Sequence, residues 1–220
     1  MTIELVRQGN YGKAMKRISS SRLAPFTEQT HRKLTYLHPP GKGIITSIPT
    51  AEHEFDENLN RNEFQSPVEY AVSTAQAKAE SVLAKMNKSD RQCDILISAD
   101  TIISLDSVIF EKPRSVEDAI KMLSRLQGRM HQVITGVCVF DNYKGTFCSF
   151  WVKTDVTMVN MGEELIKSYV ETGEPMDKAG GYGIQGLGST LISKIDGDYY
   201  NVVGLPLCRL AETLKDIIRY

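Results

Sequence analysis

Lysines, carboxylates and turns recur together along this chain. Asp100-Thr101 follows the apolar run CDILIS, and Lys112-Pro113 ends the strand-like run IISLDSVIFEKP. Further on, the stretch Glu174 to Pro206 sets Asp177, Lys178, Gln185, Asp196, Asp198 and Asn201 among glycines at 180, 181, 183, 186, 188, 197 and 204. Glu57, in the acidic run EHEFDENL, and Lys78 extend the theme. Lysines and carboxylates suit a metal–phosphate site, in which ammonium groups neutralise phosphate oxygens and carboxylates hold a hard cation or activate water. No GxxxxGK[ST] run occurs, which excludes a P-loop, and GGYGIQGLG does not stand between a strand and a helix as a dinucleotide fingerprint requires. Each feature also has a plainer reading. A lone Asp beside a loop can form an Asx turn, an acidic cluster can be a solvated loop, and a Gly-dense segment can be a surface connection.

The elements that must position these residues are legible in part. Ser66-Pro67-Val68-Glu69 combines a Ser cap, Pro at the first helical position and Glu in capping-box register, so a helix is predicted from there to about Met86. Val68, Ala71, Val72, Ala75, Ala79 and Val82 form its apolar stripe. Lys78 falls on or beside that stripe, where a lysine either snorkels to water or meets an anion. Cys93–Ser98 reads as a buried strand with Asp100 at its end, and a second strand-like segment leads to Lys112. Ser115 caps a second helix, buried through Ala119, Met122, Leu123 and Leu126 and closed by Gly128. Residues 131–141 and 146–159 read as a long antiparallel hairpin around Asn142-Tyr143-Lys144-Gly145, with His131 as a hydrogen-bonded structural histidine. Glu163–Thr172 reads as a short helix closed by Gly173, and Leu205–Ile218 as an amphipathic helix. Residues 43–50 predict a short strand ended by Pro49, Arg17–Ser20 another, and residues 30–37 the start of a helix.

The 220 residues suit one domain, or one with two lobes, and can bury a sizeable core. A formal net charge of -1 leaves no electrostatic footprint for nucleic acid or an anionic membrane. No apolar run approaches a membrane span, and the first residues lack the apolar core of a secretory signal. The four cysteines, Cys93, Cys138, Cys148 and Cys208, form no C-x-x-C pair, so they are expected to be reduced thiols in a cytoplasmic protein. Cys138 and Cys148 are expected near one another across the hairpin.

Several segments resemble the Maf-like nucleoside triphosphate pyrophosphatases. They are SADTIISLDSVIFEKP (98–113), AIKMLSRLQG (119–128), HQVITGV (131–137), EPMDKAGGYGIQGLG (174–188) and GDYYNVVGLPL (197–207), with QAKA (76–79) and FDE (55–57) matching the family's upstream lysine and acid. The likeness is collinear over most of residues 44–215. It implies a single α/β domain over residues 1–220, divergent at 1–43, with an ITPase-like fold. In that fold a long mixed twisted sheet is flanked by helices, and two lobes surround a cleft. DKAGGYGIQG, with Lys178 and Gln185, and Asp-Thr at 100–101 resemble the branch that hydrolyses dTTP and UTP.

The resemblance implies cleavage between the α- and β-phosphates of a nucleoside triphosphate, with Mg²⁺ or Mn²⁺ as cofactor and a homodimer as the assembly. It implies Asp100 as the acceptor of the attacking water's proton and Glu57 with Asp100 as metal ligands. It implies Lys78, Lys112 and Arg32 against the phosphates, Thr101 and Gln185 in base choice, and Lys178 in support. The family's opening S-x-S-P-R-R grip is absent. Thr30-His31-Arg32-Lys33 is one replacement, which adds Lys33 to the substrate-binding set, and Ser19-Ser20-Ser21-Arg22 is another. Arg and Lys are not equivalent at a bidentate phosphate site. The departure therefore keeps a nucleotide-binding protein without turnover open as a rival, alongside specificity for 7-methyl-GTP, ITP or XTP.

Overall fold

The protein is described here by a computed structural model, covering residues 3–6, 59–86 and 95–218. Arg32, Lys33, Glu57 and the elements expected at Arg17–Ser20, 30–37 and 43–50 lie outside the described residues.

The described strands are β1 (Ile3–Val6), β2 (Ile95–Leu105), β3 (Val108–Phe110), β4 (Met130–Asp141), β5 (Thr146–Met158) and β6 (Ile192–Asp196). They form one sheet in the order β1-β2-β4-β5-β6, with β3 also on β2. Every pairing among them is antiparallel, so the expected mixed sheet is corrected to an antiparallel one over the described residues. Two of these pairings follow from local turns. Asp106 and Ser107, both at positive φ, turn β2 tightly into β3, and residues 142–145 turn β4 into β5. β1 was not expected; it pairs with β2 from Ile95 to Ser98. β3 pairs with the same strand from Ile103 to Leu105. On that edge of β2, residues 99–102 therefore have no strand neighbour among the described residues.

The helices are α1 (Pro67–Met86), α2 (Val116–Leu126), α3 (Glu163–Glu171), α4 (Tyr199–Val203) and α5 (Leu207–Ile218). α1 begins as its sequence predicts. Ser66 Oγ accepts the Glu69 N–H at 3.1 Å, while Glu69 Oε2 takes the Gln65 N–H at 2.8 Å. Ala71, Ala75 and Ala79 are fully buried against the sheet, and Tyr70, Thr74 and Lys78 are buried with them. The small stripe lets α1 lie close to the strands. The approach is close at Gly136, where a β-carbon would stand 2.5 Å from the Ala71 carbonyl carbon and the Val72 nitrogen.

Side chains alternate across a strand, so β2 serves two layers. Leu96 packs under α1 with Ala75, Ala79 and Cys138, and Ile102 packs there with Tyr70, Ala71 and Ile134. On the opposite face Ile95, Ile97 and Ala99 meet Leu205 and Leu210 near α5. Ile103 and Leu105 on that face join the main core with Leu123 and Leu126 of α2 and Ile166, Tyr169 and Val170 of α3. Cys138, Cys148 and Cys208 are free thiols, and Cys138 stands opposite Ser149 rather than Cys148. Among the described residues no helix is long and apolar enough to cross a membrane.

Candidate active site

Asp100 lies within the eleven residues of β2 (11 in all), not at a strand end as expected. The apolar run continues through IISL, and β4 pairs with β2 along nearly its whole length. The cross-strand neighbour of Asp100 is Gly136. With no side chain at 136, α1 settles onto β4, and Lys78, seven residues beyond Ala71, comes down over Asp100. Lys78 Nζ donates to Asp100 Oδ1 at 2.6 Å, with side-chain exposures of 2% and 14%. Of the two readings open for Lys78, the anion is the one realised. A buried ion pair seldom repays the desolvation of both groups in stability, so its presence in the middle of a sheet points to chemistry.

β3 leads into the turn that carries Lys112. Glu111 points its side chain toward α1 and the turn before it, where its carboxylate accepts from Tyr70 Oη and Arg61 Nη2. Its carbonyl faces the other way and accepts the Gly180 N–H at 2.9 Å. The turn therefore bridges the α1 layer and the Gly-rich segment. Lys112 is exposed beside it, and Pro113 is buried where Gly181 packs.

The Gly-rich segment is a packed body, not a surface connection. Gly180, Gly181, Tyr182, Gly183 and Ile184 are all buried. Three short 3-10 turns, Glu174–Asp177, Ala179–Gly181 and Leu187–Leu191, give it shape. The Gly183 N–H donates to Tyr169 Oη at 3.2 Å, and Tyr182 Oη is 2.6 Å from His131 Nε2. Lys178 is half-buried and pairs with Asp177, and its Cε lies 3.1 Å from where a β-carbon on Gly183 would be. Gln185 is exposed at the turn between Ile184 and Gly186.

His131 is the hydrogen-bonded structural histidine that its position predicts. Burial pushes its imidazole pKa from 6.5 down to about 4. An unfolded chain takes up that proton near the ordinary value and the folded chain resists it. The contribution to stability is therefore whole above about pH 6.5 and lost as pH falls through about 4, roughly 3 kcal/mol in all. Denaturant unfolding of the parent and His131→Gln proteins at pH 7 and pH 4 checks this: the parent's advantage should shrink by about that amount. A difference independent of pH would show that the imidazole does not resist protonation.

Thr101 lies on the opposite face of β2 from Asp100. Its hydroxyl is 2.9 Å from Thr135 Oγ1, which donates to the Asn201 carbonyl at 3.1 Å. Asn201, fully buried, donates to the Val133 carbonyl and to Thr154 Oγ1, each at 3.0 Å. Ile103, two residues further along that face, meets Gly180. Thr101 and the Gly-rich segment thus share one layer, while Asp100 and Lys78 occupy the other. The edge of β2 at 99–102 separates them.

Sequence reasoning missed four contributors here. Gly136 carried a signal, since a glycine inside an apolar strand pattern marks a close backbone approach. Arg61 and Tyr70 reach Glu111 only through the tertiary fold. Glu174 gathers the Gly-rich segment around its carboxylate.

No group of three or more His, Cys, Asp or Glu that could hold a metal ion occurs among the described residues. Among the described residues the Asp100 carboxylate is the oxygen donor at the site; the Thr74 hydroxyl, one helical turn before Lys78 on α1, is buried without a hydrogen-bond partner among the same residues. That carboxylate fits a cation of the Mg²⁺ kind, which keeps several waters and takes one or two carboxylates together with substrate phosphates.

The sequence model of the Maf-like protein family matches residues 41–217. The chain is 44% identical over 184 residues to the dTTP/UTP pyrophosphatase of Dictyoglomus turgidum, covering 84% of this chain and 90% of that protein. It is 46% identical over 162 residues to the dTTP/UTP pyrophosphatase of Bacillus velezensis, covering 73% of this chain and 80% of that one. It is also 44% identical over 168 residues to the human probable bifunctional dTTP/UTP pyrophosphatase/methyltransferase protein. The chain spans 27% of that human protein's length, and 63% of a further relative from Thermosipho africanus.

Proposed function

The chain belongs to the Maf-like protein family, and on that premise we propose that it is a nucleoside triphosphate pyrophosphatase acting on dTTP and UTP. The observation that carries this reading is the buried Lys78–Asp100 pair beneath α1, set beside a stretch of strand edge that has no strand neighbour among the described residues. The relatives named as dTTP/UTP pyrophosphatases support the substrate class.

The nucleotide straddles the edge of β2 at 99–102. Its triphosphate lies on the α1 face, against Lys78 and Lys112 and, from outside the described residues, Arg32 and Lys33. Its base lies on the other face, toward Gln185 and Thr101, with Lys178 supporting the wall. These faces are the two sides of the cleft in an ITPase-like fold. Lys78 orients the Asp100 carboxylate through Oδ1. Asp100 accepts a proton from a water that attacks phosphorus, and the bond between the α- and β-phosphates breaks to give a nucleoside monophosphate and pyrophosphate. Asp100 and Glu57 would hold Mg²⁺ or Mn²⁺, which supplies neutralisation of the charge that builds on the phosphate oxygens. Catalysis of this kind draws mainly on positioning and preorganised charge. The Gln185 amide offers both a donor and an acceptor to a pyrimidine edge.

A nucleotide panel tests the proposal. Pyrophosphate release is measured with dTTP, UTP, 7-methyl-GTP, ITP and XTP in the presence of Mg²⁺ or Mn²⁺. The expected result is the highest kcat/KM for dTTP and UTP. Preference for a purine nucleotide would overturn the substrate assignment. Nucleotide binding by calorimetry with no turnover would overturn the enzyme.

A further inference from the structure

We propose that Glu174 is a positioning residue for base selection, fixing the chain immediately after Gln185 in the conformation that presents this side chain to the base. The inference rests on the reading of Gln185 given above. Glu174 begins the short turn after Gly173 and sends its carboxylate back into the Gly-rich segment. Its Oε2 accepts the Leu187 N–H at 2.8 Å, and its Oε1 accepts the Gly188 N–H and the Tyr169 hydroxyl, each at 2.9 Å. The same Tyr169 oxygen accepts the Gly183 N–H at 3.2 Å. Glu174 and Tyr169 thus hold the backbone on both sides of the exposed Gln185 as one unit.

The fit is close. A β-carbon on Gly186 would stand 2.5 Å from Glu174 Oε2, so the chain passes over the carboxylate with no room for a side chain at 186. An ionised carboxylate accepting backbone N–H groups makes stronger hydrogen bonds than a neutral acceptor does. Glutamine at 174 would keep the shape and one acceptor oxygen. Its other terminal atom is an amide nitrogen, which would meet the Leu187 N–H donor to donor. The backbone after Gln185 must then move, and the Gln185 side chain moves with it. Since the segment lies on the face of β2 opposite the Lys78–Asp100 pair, the change falls on nucleotide selection rather than on the hydrolytic step.

The experiment measures kcat and KM for dTTP and ITP with the full-length Glu174→Gln, Leu187→Pro and Gln185→Ala proteins. Leu187→Pro deletes the N–H that Glu174 Oε2 receives while leaving the carboxylate in place, and proline is tolerated at the first position of a helical turn. For Glu174→Gln, the preference for dTTP over ITP in kcat/KM should fall about tenfold, chiefly through KM for dTTP, as loss of one charge-assisted hydrogen bond allows. Leu187→Pro should move the ratio in the same direction. A merely structural role would lower the melting temperature and leave the ratio unmoved. Should Gln185→Ala abolish the preference while both other variants keep it, the assignment of Glu174 is overturned and the reading of Gln185 stands. An unchanged ratio in Gln185→Ala overturns the reading of Gln185, and the proposal for Glu174 with it.

Discussion

Asp100→Asn is expected to lower turnover by at least about a hundredfold, the loss that follows removal of a positioned general base. The same substitution has a second effect. It leaves the Lys78 ammonium, 2% exposed, facing a neutral amide, and breaking a buried pair from one side costs about 3–5 kcal/mol. Lost activity alone would therefore not separate chemistry from folding. The double variant Lys78→Met, Asp100→Leu separates them. Replacing both charges with apolar groups of similar volume is often neutral or stabilising, so its denaturant midpoint should return to the parent's or exceed it, while pyrophosphate release stays lost. A single Asp100→Asn protein with near-parental kcat would remove Asp100 from the role of base.

Gly136→Ala is the second change expected to act strongly, although residue 136 touches no substrate. Its new methyl group would stand 2.5 Å from backbone atoms of Ala71 and Val72. Backbone cannot swing aside as a long side chain can, so α1 must lift from the sheet. Overpacking of this kind typically costs about 1–3 kcal/mol. The same displacement draws Lys78 away from Asp100, and a misplacement of about 1 Å at a reacting centre can cost about a hundredfold in rate. Denaturant unfolding and steady-state kinetics of one preparation check both effects. An alanine variant with unchanged kcat would show that the height of α1 above β4 does not set the ion pair.

Much of this was legible in residue order, for physical reasons that differ by element. The first helix was readable at both its start and its end because Ser66, Pro67 and Glu69 act locally through capping and an alanine-rich stripe sets its face. Lys78 stood out because an ammonium on such a stripe demands an explanation. The placement of Asp100 was misread, since nothing local distinguishes an acid at the end of a strand from one inside a longer strand whose pairing with β4 is settled at a distance. Thr101 looked like a companion to Asp100. Strand alternation sends it to the other layer, a consequence that appears only once both residues are known to lie in β2. The partners of Glu111 and Glu174 depend on segments brought together by the tertiary fold, and periodicity carries no signal for such meetings.

The tethering of the Gly-rich segment has a thermodynamic consequence. Glycine-dense chain loses more conformational entropy on ordering than any other, and here that loss is incurred when the chain folds. Glu111, His131 and Tyr169 hold the segment from separate parts of the molecule, and Glu174 ties its start to its middle. If the nucleotide binds as proposed, it meets a wall already formed, and little of its binding free energy goes into ordering the protein. A wall that is preorganised in this way selects by refusing to adapt: a base of the wrong outline meets fixed backbone and finds no loop able to remould itself around it.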